Sequence, residues 1–194
     1  MLSIRVAQYL EEMTGRKLLA TRPFGRQVRE RVIAAIQAVP RETVVQLDFD
    51  GVEFIDYSGA DELIVMLMNR IVNNEMGSRY LVVANLLEWH RENILVAFDR
   101  SKKHAILELR SQELYLLGKV KPMLVEVLET VYNHGVQTAR RLSDATGNEI
   151  NLSSTKLSQL YQQRLIVRNE EMLPEGGRQY IYDRILPMPI VIEN

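Results

Sequence analysis

The sequence predicts an α/β protein in two parts, and three observations lead there. Through about residue 110, segments of helical periodicity alternate with short β-branched apolar runs, the pattern of helices layered on a mixed sheet. Beyond Gly118 three helical segments follow one another and end in two strand-like runs around a Gly-Gly pair. The length of 194 residues allows one large domain or two small ones, and the change of pattern argues for two. They are placed at residues 1–112 and 113–194, with the junction between Arg110 and Gly118.

Ser3 is placed to cap a short amphipathic helix bearing Ile4, Ala7, Leu10 and Met13, with Gly15 as its stop. A short strand is expected at 17–21, and Val28, Val32, Ala35, Ile36 and Val39 give helical spacing from Pro23 until Pro40 closes it. Residues 43–49 are β-branched and apolar, as in a central strand. A long helix then runs from about Ser58 to Met76 and stops at Gly77; its continuous apolar run from Leu63 to Met68 implies neighbours on more than one side. Residues 80–84 read as a buried strand, 88–98 as a helix and 104–109 as an alternating strand.

In the second part, helices are expected at 119–132, 138–146 and 153–164, with Gly135 and Gly147 in the turns. Strands at 165–168 and 179–183 flank Pro174-Glu175-Gly176-Gly177 as a hairpin tip. Three helices followed by a β-hairpin are the elements of a winged helix, an α+β arrangement.

The formal net charge of −1 removes any general electrostatic pull toward nucleic acid or anionic lipid, so such binding needs a local patch. The absence of cysteine rules out a disulfide framework, a thiolate metal site and a cysteine nucleophile. The N-terminal residues lack a signal-peptide core and no apolar run approaches a membrane span, so a cytoplasmic protein without membrane contact is expected.

The run Val44-Val45-Gln46-Leu47-Asp48-Phe49-Asp50-Gly51-Val52, with Ile55-Asp56-Tyr57-Ser58-Gly59 and Ala60-Asp61-Glu62-Leu63, resembles the STAS superfamily of bacterial anti-sigma-factor antagonists. It is closer still to a STAS-like branch in which a strand precedes Ala-Asp-Glu-Leu. The resemblance covers roughly half of the chain. Such antagonists show Asp-Ser-Ser-Gly, whose second serine is phosphorylated by a partner kinase of the anti-sigma type. Ser58 is the matching position, framed by Asp56 and Gly59. Tyr57 replaces the first serine, and Asp61 and Glu62 add carboxylates that oppose a phosphate. The other reading is that Ser58 caps the helix while Asp56 fixes the turn.

Ile150-Asn151-Leu152-Ser153-Ser154-Thr155-Lys156-Leu157-Ser158-Gln159-Leu160 is similar to the turn and recognition helix of MarR-type winged-helix regulators. Leu157, Leu160 and Arg164 share one helical side, leaving Ser154, Thr155, Ser158, Gln159 and Gln162 outward. Ser153, Ser154, Thr155, Lys156, Ser158 and Gln159, with Arg178 from the wing, are the candidate DNA contacts. Against this, residues 111–194 hold nine Lys and Arg to ten Asp and Glu, without the basic excess usual in a DNA-binding module. Winged helices also bind proteins, which keeps an adaptor reading open.

Other features read as structural. His90, His104 and His134 lack metal-ligand spacing and are assigned surface or capping roles; no metal or cofactor is expected. Asp48 and Asp50 sit at a strand end suited to Asx turns, and Met66, Met68 and Met76 suit core filling. Arg22, Arg26 and Arg29 form either an anion-receiving turn or a solvated face. With no Ser/His/Asp, Cys/His or Gly-x-Ser-x-Gly arrangement, enzymatic activity is not expected. The expected protein is a transcription-related regulator: a STAS-like sensing or docking domain, open to a protein partner or kinase, controlling a DNA-binding winged helix, and a homodimer because winged-helix regulators commonly read paired half-sites, with spare apolar surface on the 63–68 run contributing. The alternative is an adaptor whose two domains both bind proteins.

Overall fold

The computed structural model describes residues 1–101, 105–174 and 176–193. Its strands in chain order are β1 (Leu2–Arg5), β2 (Leu18–Leu19), β3 (Val44–Asp48), β4 (Phe54–Ile55), β5 (Tyr80–Ala84), β6 (Ala105–Arg110), β7 (Glu113–Gly118), β8 (Ile166–Met172), β9 (Arg178–Arg184) and β10 (Ile190–Val191). The helices are α1 (Val6–Thr14), α2 (Arg22–Gln37), α3 (Tyr57–Ala60), α4 (Met66–Val72), α5 (Glu88–Ser101), α6 (Pro122–His134), α7 (Ala139–Thr146) and α8 (Ile150–Gln162), with a π-helical segment, Asp61–Val65, joining α3 to α4.

The central mixed sheet has the order β1-β3-β5-β6-β7-β10, so the protein is of the α/β class. β1, β3, β5 and β6 are mutually parallel, β7 is antiparallel to β6, and β10 is parallel to β7. The crossovers step from β1 to β3, β5 and β6 in one direction. Right-handed connections therefore put the helices α1 to α5 on one face and leave the other to be covered by later chain. Strand alternation matches this division: Val45, Leu47, Leu81, Val83 and Ile106 join the core beneath α1 to α5. Tyr80, Val82, Leu107 and Leu114 join a second core with Leu124, Leu128 and Val131 of α6 and Leu157 and Leu160 of α8. The whole of β5 is buried because it serves both cores.

Several expected elements are displaced. Residues 2–5 form a strand registered on β3, not the first turn of a Ser3-capped helix; α1 starts at Val6 without a side-chain cap, because sheet pairing outweighs the local serine signal. The long helix expected from Ser58 to Met76 ends at Val72, and residues 73–76 turn before Gly77. In the apolar run, Leu63, Ile64, Val65, Leu67 and Met68 are buried, so it offers no spare dimer surface beyond Met66, the member of the methionine set that is exposed. The stretch read as the junction is strand β7. Ser111 and Gln112, at φ 46° and 72°, make the tight β6–β7 turn without the Asn-Gly pair that would have announced it. The chain after Glu113 thus adds β7 and β10 to the sheet begun before it. The sixth strand was expected to begin at His104, which lies outside the described residues.

No helix among the described residues is long and apolar enough to cross a membrane. The second part forms three successive helices and a two-stranded hairpin, with Leu142, Leu157, Leu160, Ile166 and Tyr182 in its core. At the hairpin tip, Gly176 and Gly177 take φ of 89° and 96°, conformations open to glycine. Glu175 lies outside the described residues.

Candidate functional site

The turn expected to frame Ser58 is built around Asp56. Its backbone N–H bonds the Leu19 carbonyl, fixing β4 beside β2. Its Oδ1 accepts from the Gly59 N–H at 2.6 Å and its Oδ2 from the Thr21 N–H at 3.2 Å. One carboxylate thus caps α3 and ties it to the residue preceding α2. Asp56 is therefore the helix cap that had been ascribed to Ser58; Ser58 lies one residue inside the helix, half-buried, in the first turn. Gly59 is required by close approach, since a Cβ there would collide with the Leu19 carbonyl. Gly25 is its counterpart on α2: a Cβ there would stand 2.7 Å from the Glu62 Cβ.

That close approach lets α2 lay three arginines along the helix pair. Glu62, 4% exposed, accepts from Arg29 Nη1 at 2.6 Å and Arg22 Nη1 at 3.2 Å, with Arg26 Nε 4.0 Å away. Arg22 Nη1 also donates to Asp61 Oδ2 at 2.7 Å. These hydrogen bonds, that to Asp61 foremost, push the Arg22 guanidinium further above its ordinary range. The Arg22, Arg26 and Arg29 stripe is thus an intramolecular lock with the carboxylates after Gly59. Arg100 stacks on the Tyr57 ring at 4.2 Å from its centroid. Tyr57 and Arg22 frame the Ser58 turn, and Asp61 and Glu62 stand already neutralised there.

At the neighbouring strand end, Asp48 Oδ1 accepts from the Asp50 N–H at 2.9 Å and Asn85 Nδ2 at 2.7 Å, the structural Asx turn expected. His90 is fully buried, contrary to a surface role. Its Nδ1 accepts from the Leu87 N–H at 3.2 Å, capping the start of α5, and burial lowers its pKa. His134 is exposed in the last turn of α6.

The second candidate face lies where α7, α8 and the hairpin meet around a groove of about 650 Å³ that includes Arg140, Arg141, Ser154, Gln179 and Tyr180. Thr138 caps α7 by accepting from the Arg141 N–H at 3.1 Å. Of the expected DNA contacts, Thr155 and Arg178 are exposed and Ser154, Ser158 and Gln159 half-buried. Ser158 Oγ lies 3.3 Å from the Tyr182 hydroxyl, and Arg178 Nη1 3.6 Å from Glu170 Oε2. Ser153 is fully buried and Lys156 8% exposed. Both turn toward the core because they lie on the inner arc of α8 beside Leu157 and Leu160. Arg140 and Arg141, at the start of α7, are the exposed cations on the groove.

Arg164 joins the two regions. It is 5% exposed, with Nε donating to the Ile71 carbonyl at 3.3 Å and Nη2 to Asn74 Oδ1 at 3.2 Å. The end of α8 is thereby fastened to the end of α4. No group of His, Asp or Glu that could hold a metal ion occurs among the described residues. No family model matches the chain, and no curated protein matches it.

Proposed function

We propose that this protein is a transcription-related regulator whose first part, similar to a STAS domain, senses or docks a partner and governs DNA binding by a winged helix in the second. The groove between α7, α8 and the hairpin is the observation that carries this reading. It presents Arg140 and Arg141 for phosphates and Ser154 and Gln179 for base edges, alongside the carboxylates Asp144 and Glu171; Thr155, Gln159 and Arg178 stand outside its lining. The buried Ser153 and Lys156 have no contact role in it.

Control follows from continuity. Ser58 sits in α3, which passes through the π-helical segment into α4, and α4 ends at the contacts with Arg164 that hold α8. A phosphate on Ser58 or a partner docked at Tyr57 and Arg100 acts by favouring one arrangement of α4 against α8 over another. A phosphate brings nearly two negative charges and competes for Arg22, now held by Asp61 and Glu62.

The test is selection of genomic DNA fragments by the purified protein, followed by anisotropy titration of enriched and scrambled fragments at two salt concentrations. Specific binding that weakens steeply with salt is the expected result. Absence of enrichment refutes DNA recognition.

A second reading, a protein-binding adaptor, is favoured by exposed apolar side chains lining the groove: Val136 at 39%, Ile150 at 48% and Tyr180 at 45%. The absence of enrichment would move the assignment of this face to protein recognition.

A further inference from the structure

A small polar cleft lies on the seam between the sheet and the hairpin; its lining shares no residue with the groove described above, although Tyr180 of that groove reaches its edge. Its volume is about 190 Å³, and it is lined by Glu42, Ser78 and Tyr80 from the sheet side and Val167, Arg168 and Asn169 from β8. That is room for about six waters at bulk density, well below the space a drug-sized ligand fills.

Arg168 makes the cleft more than a surface dent. Its guanidinium lies 4.2 Å from the ring centroids of both Tyr161 and Tyr180. Cation–π contact with two rings holds the fork in place while its N–H edges stay available. Among the described residues, that guanidinium has no carboxylate or carbonyl acceptor. A fixed, unpaired, half-buried guanidinium is a ready receptor for an oxyanion, because little side-chain entropy remains to be lost on binding. Burial raises the Tyr80 phenol to about 12, so it stays protonated and able to donate.

Glu42 decides what kind of anion fits. It belongs to the turn before β3 and has no ion-pair partner among the described residues. A simple anion seated on Arg168 would share the cleft with this carboxylate at a Coulombic cost. A ligand with a positive group at its other end turns the cost into attraction.

We infer that this cleft binds a small zwitterion of the α-amino-acid class, its carboxylate on Arg168 and its ammonium toward Glu42. Ser78 and Asn169 line the same cleft and supply its neutral hydrogen-bonding groups. Such a ligand touches both the sheet and β8 and pins the hairpin to the sheet, whatever the α7–α8 face binds.

The full chain is tested by thermal unfolding and calorimetric titration with each L-amino acid in turn, at constant ionic strength. Sodium acetate, inorganic phosphate and methylammonium serve as single-charge probes. The expected result is saturable binding of at least one amino acid with a rise in Tm of several degrees. Arg168→Gln should abolish it and Glu42→Gln should weaken it at least tenfold. Glu42 is exposed, so its variant tests the site without threatening the fold. Failure of every amino acid to bind overturns the proposal. So does acetate or phosphate binding as tightly as the best amino acid, or binding that survives Arg168→Gln.

Discussion

Replacing Glu62 by Leu tests the lock between α2 and the helix that carries Ser58. Glu62 is 4% exposed, but its three cationic neighbours are not equally buried: the side chains of Arg29, Arg22 and Arg26 are 12%, 47% and 66% exposed. Arg22 and Arg26 rehydrate once the carboxylate is gone, so each contributes on the scale of a surface pair, about 0–1 kcal/mol. Arg29 cannot rehydrate in the same way: it keeps Glu30 Oε1 at 3.3 Å and the Glu62 carbonyl at 3.0 Å, but its Nε already lacks a partner. Removing one partner of such a buried pair costs about 3–5 kcal/mol. Because Glu30 stays beside Arg29, the low end of that range, about 3–4 kcal/mol, is expected. For a chain of this size each kcal/mol corresponds to about 2–4 °C in Tm, so Tm falls by about 6–16 °C. Adding Arg29→Met should restore most of the loss, since an apolar pair of similar volume substitutes well for a buried ion pair. The assay is urea unfolding of the two single variants and the double variant, read as a thermodynamic cycle. A coupling below about 0.5 kcal/mol, the level at which independent sites add, refutes the lock.

Gly59→Ala should destabilise by more than about 3 kcal/mol because its Cβ meets backbone, whereas Gly15→Ala, with open space but φ 66°, should cost only about 1 kcal/mol; thermal unfolding of both checks the contrast. His90 gives a pH dependence: its folded pKa lies below the unfolded value of about 6.5, so the unfolded chain takes up the proton first. The stability due to neutral His90 is full above that value and lost as pH falls toward the folded pKa, and His90→Gln should flatten this part of the urea-unfolding profile between pH 7.5 and 5. If the groove binds DNA, Arg140→Gln with Arg141→Gln should weaken binding and reduce the salt slope by about 2, measured by anisotropy; an unchanged slope places DNA elsewhere. Arg164→Leu should loosen α8 from α4, read as faster amide exchange in α8 than in β5.

Much of the fold was legible because hydrophobic periodicity is local. Strand β5 and the helices α2, α7 and α8 are visible in the spacing of their apolar residues. What escaped depends on partners distant in sequence. Ser3 to Arg5 read as the capped start of a helix until β3, some forty residues later, offers an edge to pair with. Strand β7 hides behind a Ser-Gln turn, whose positive φ values no side chain signals. At the site, Asp56 and Gly59 were legible as turn residues, but their division of labour was not. Gly25 in Pro23-Phe24-Gly25-Arg26 was the overlooked signal, a glycine inside a helical pattern marking where two helices approach. On α8, Ser153 stands four residues before Leu157 and Lys156 four before Leu160, so the spacing that turns the leucines inward carries both with them; their polar character, not the periodicity, suggested a contact role.

The carboxylates after Gly59 show how context reverses a sequence argument. Taken alone, Asp61 and Glu62 repel a phosphate on Ser58. With Arg22 and Arg29 bound to them, their charge is already compensated, and the same residues become the counterweight that a phosphate must displace. Of the two arginines hydrogen-bonded to these carboxylates, Arg22 is the freer to move, since its side chain is 47% exposed while that of Arg29 is enclosed at 12%. A new negative charge at Ser58 would therefore draw Arg22 away from Asp61 and leave Arg29 on Glu62, loosening the N-terminal end of the lock while its inner half holds. In the proposed switch, that asymmetry would let a local change at Ser58 alter how α3 leads into α4 without unfolding the layer that supports both. Arg22→Gln separates the two halves: it should leave stability within about 1 kcal/mol of the parent, while removing the difference in partner binding between Ser58→Ala and Ser58→Asp. A difference that persists without Arg22 would mean that the charge at Ser58 acts through some other group.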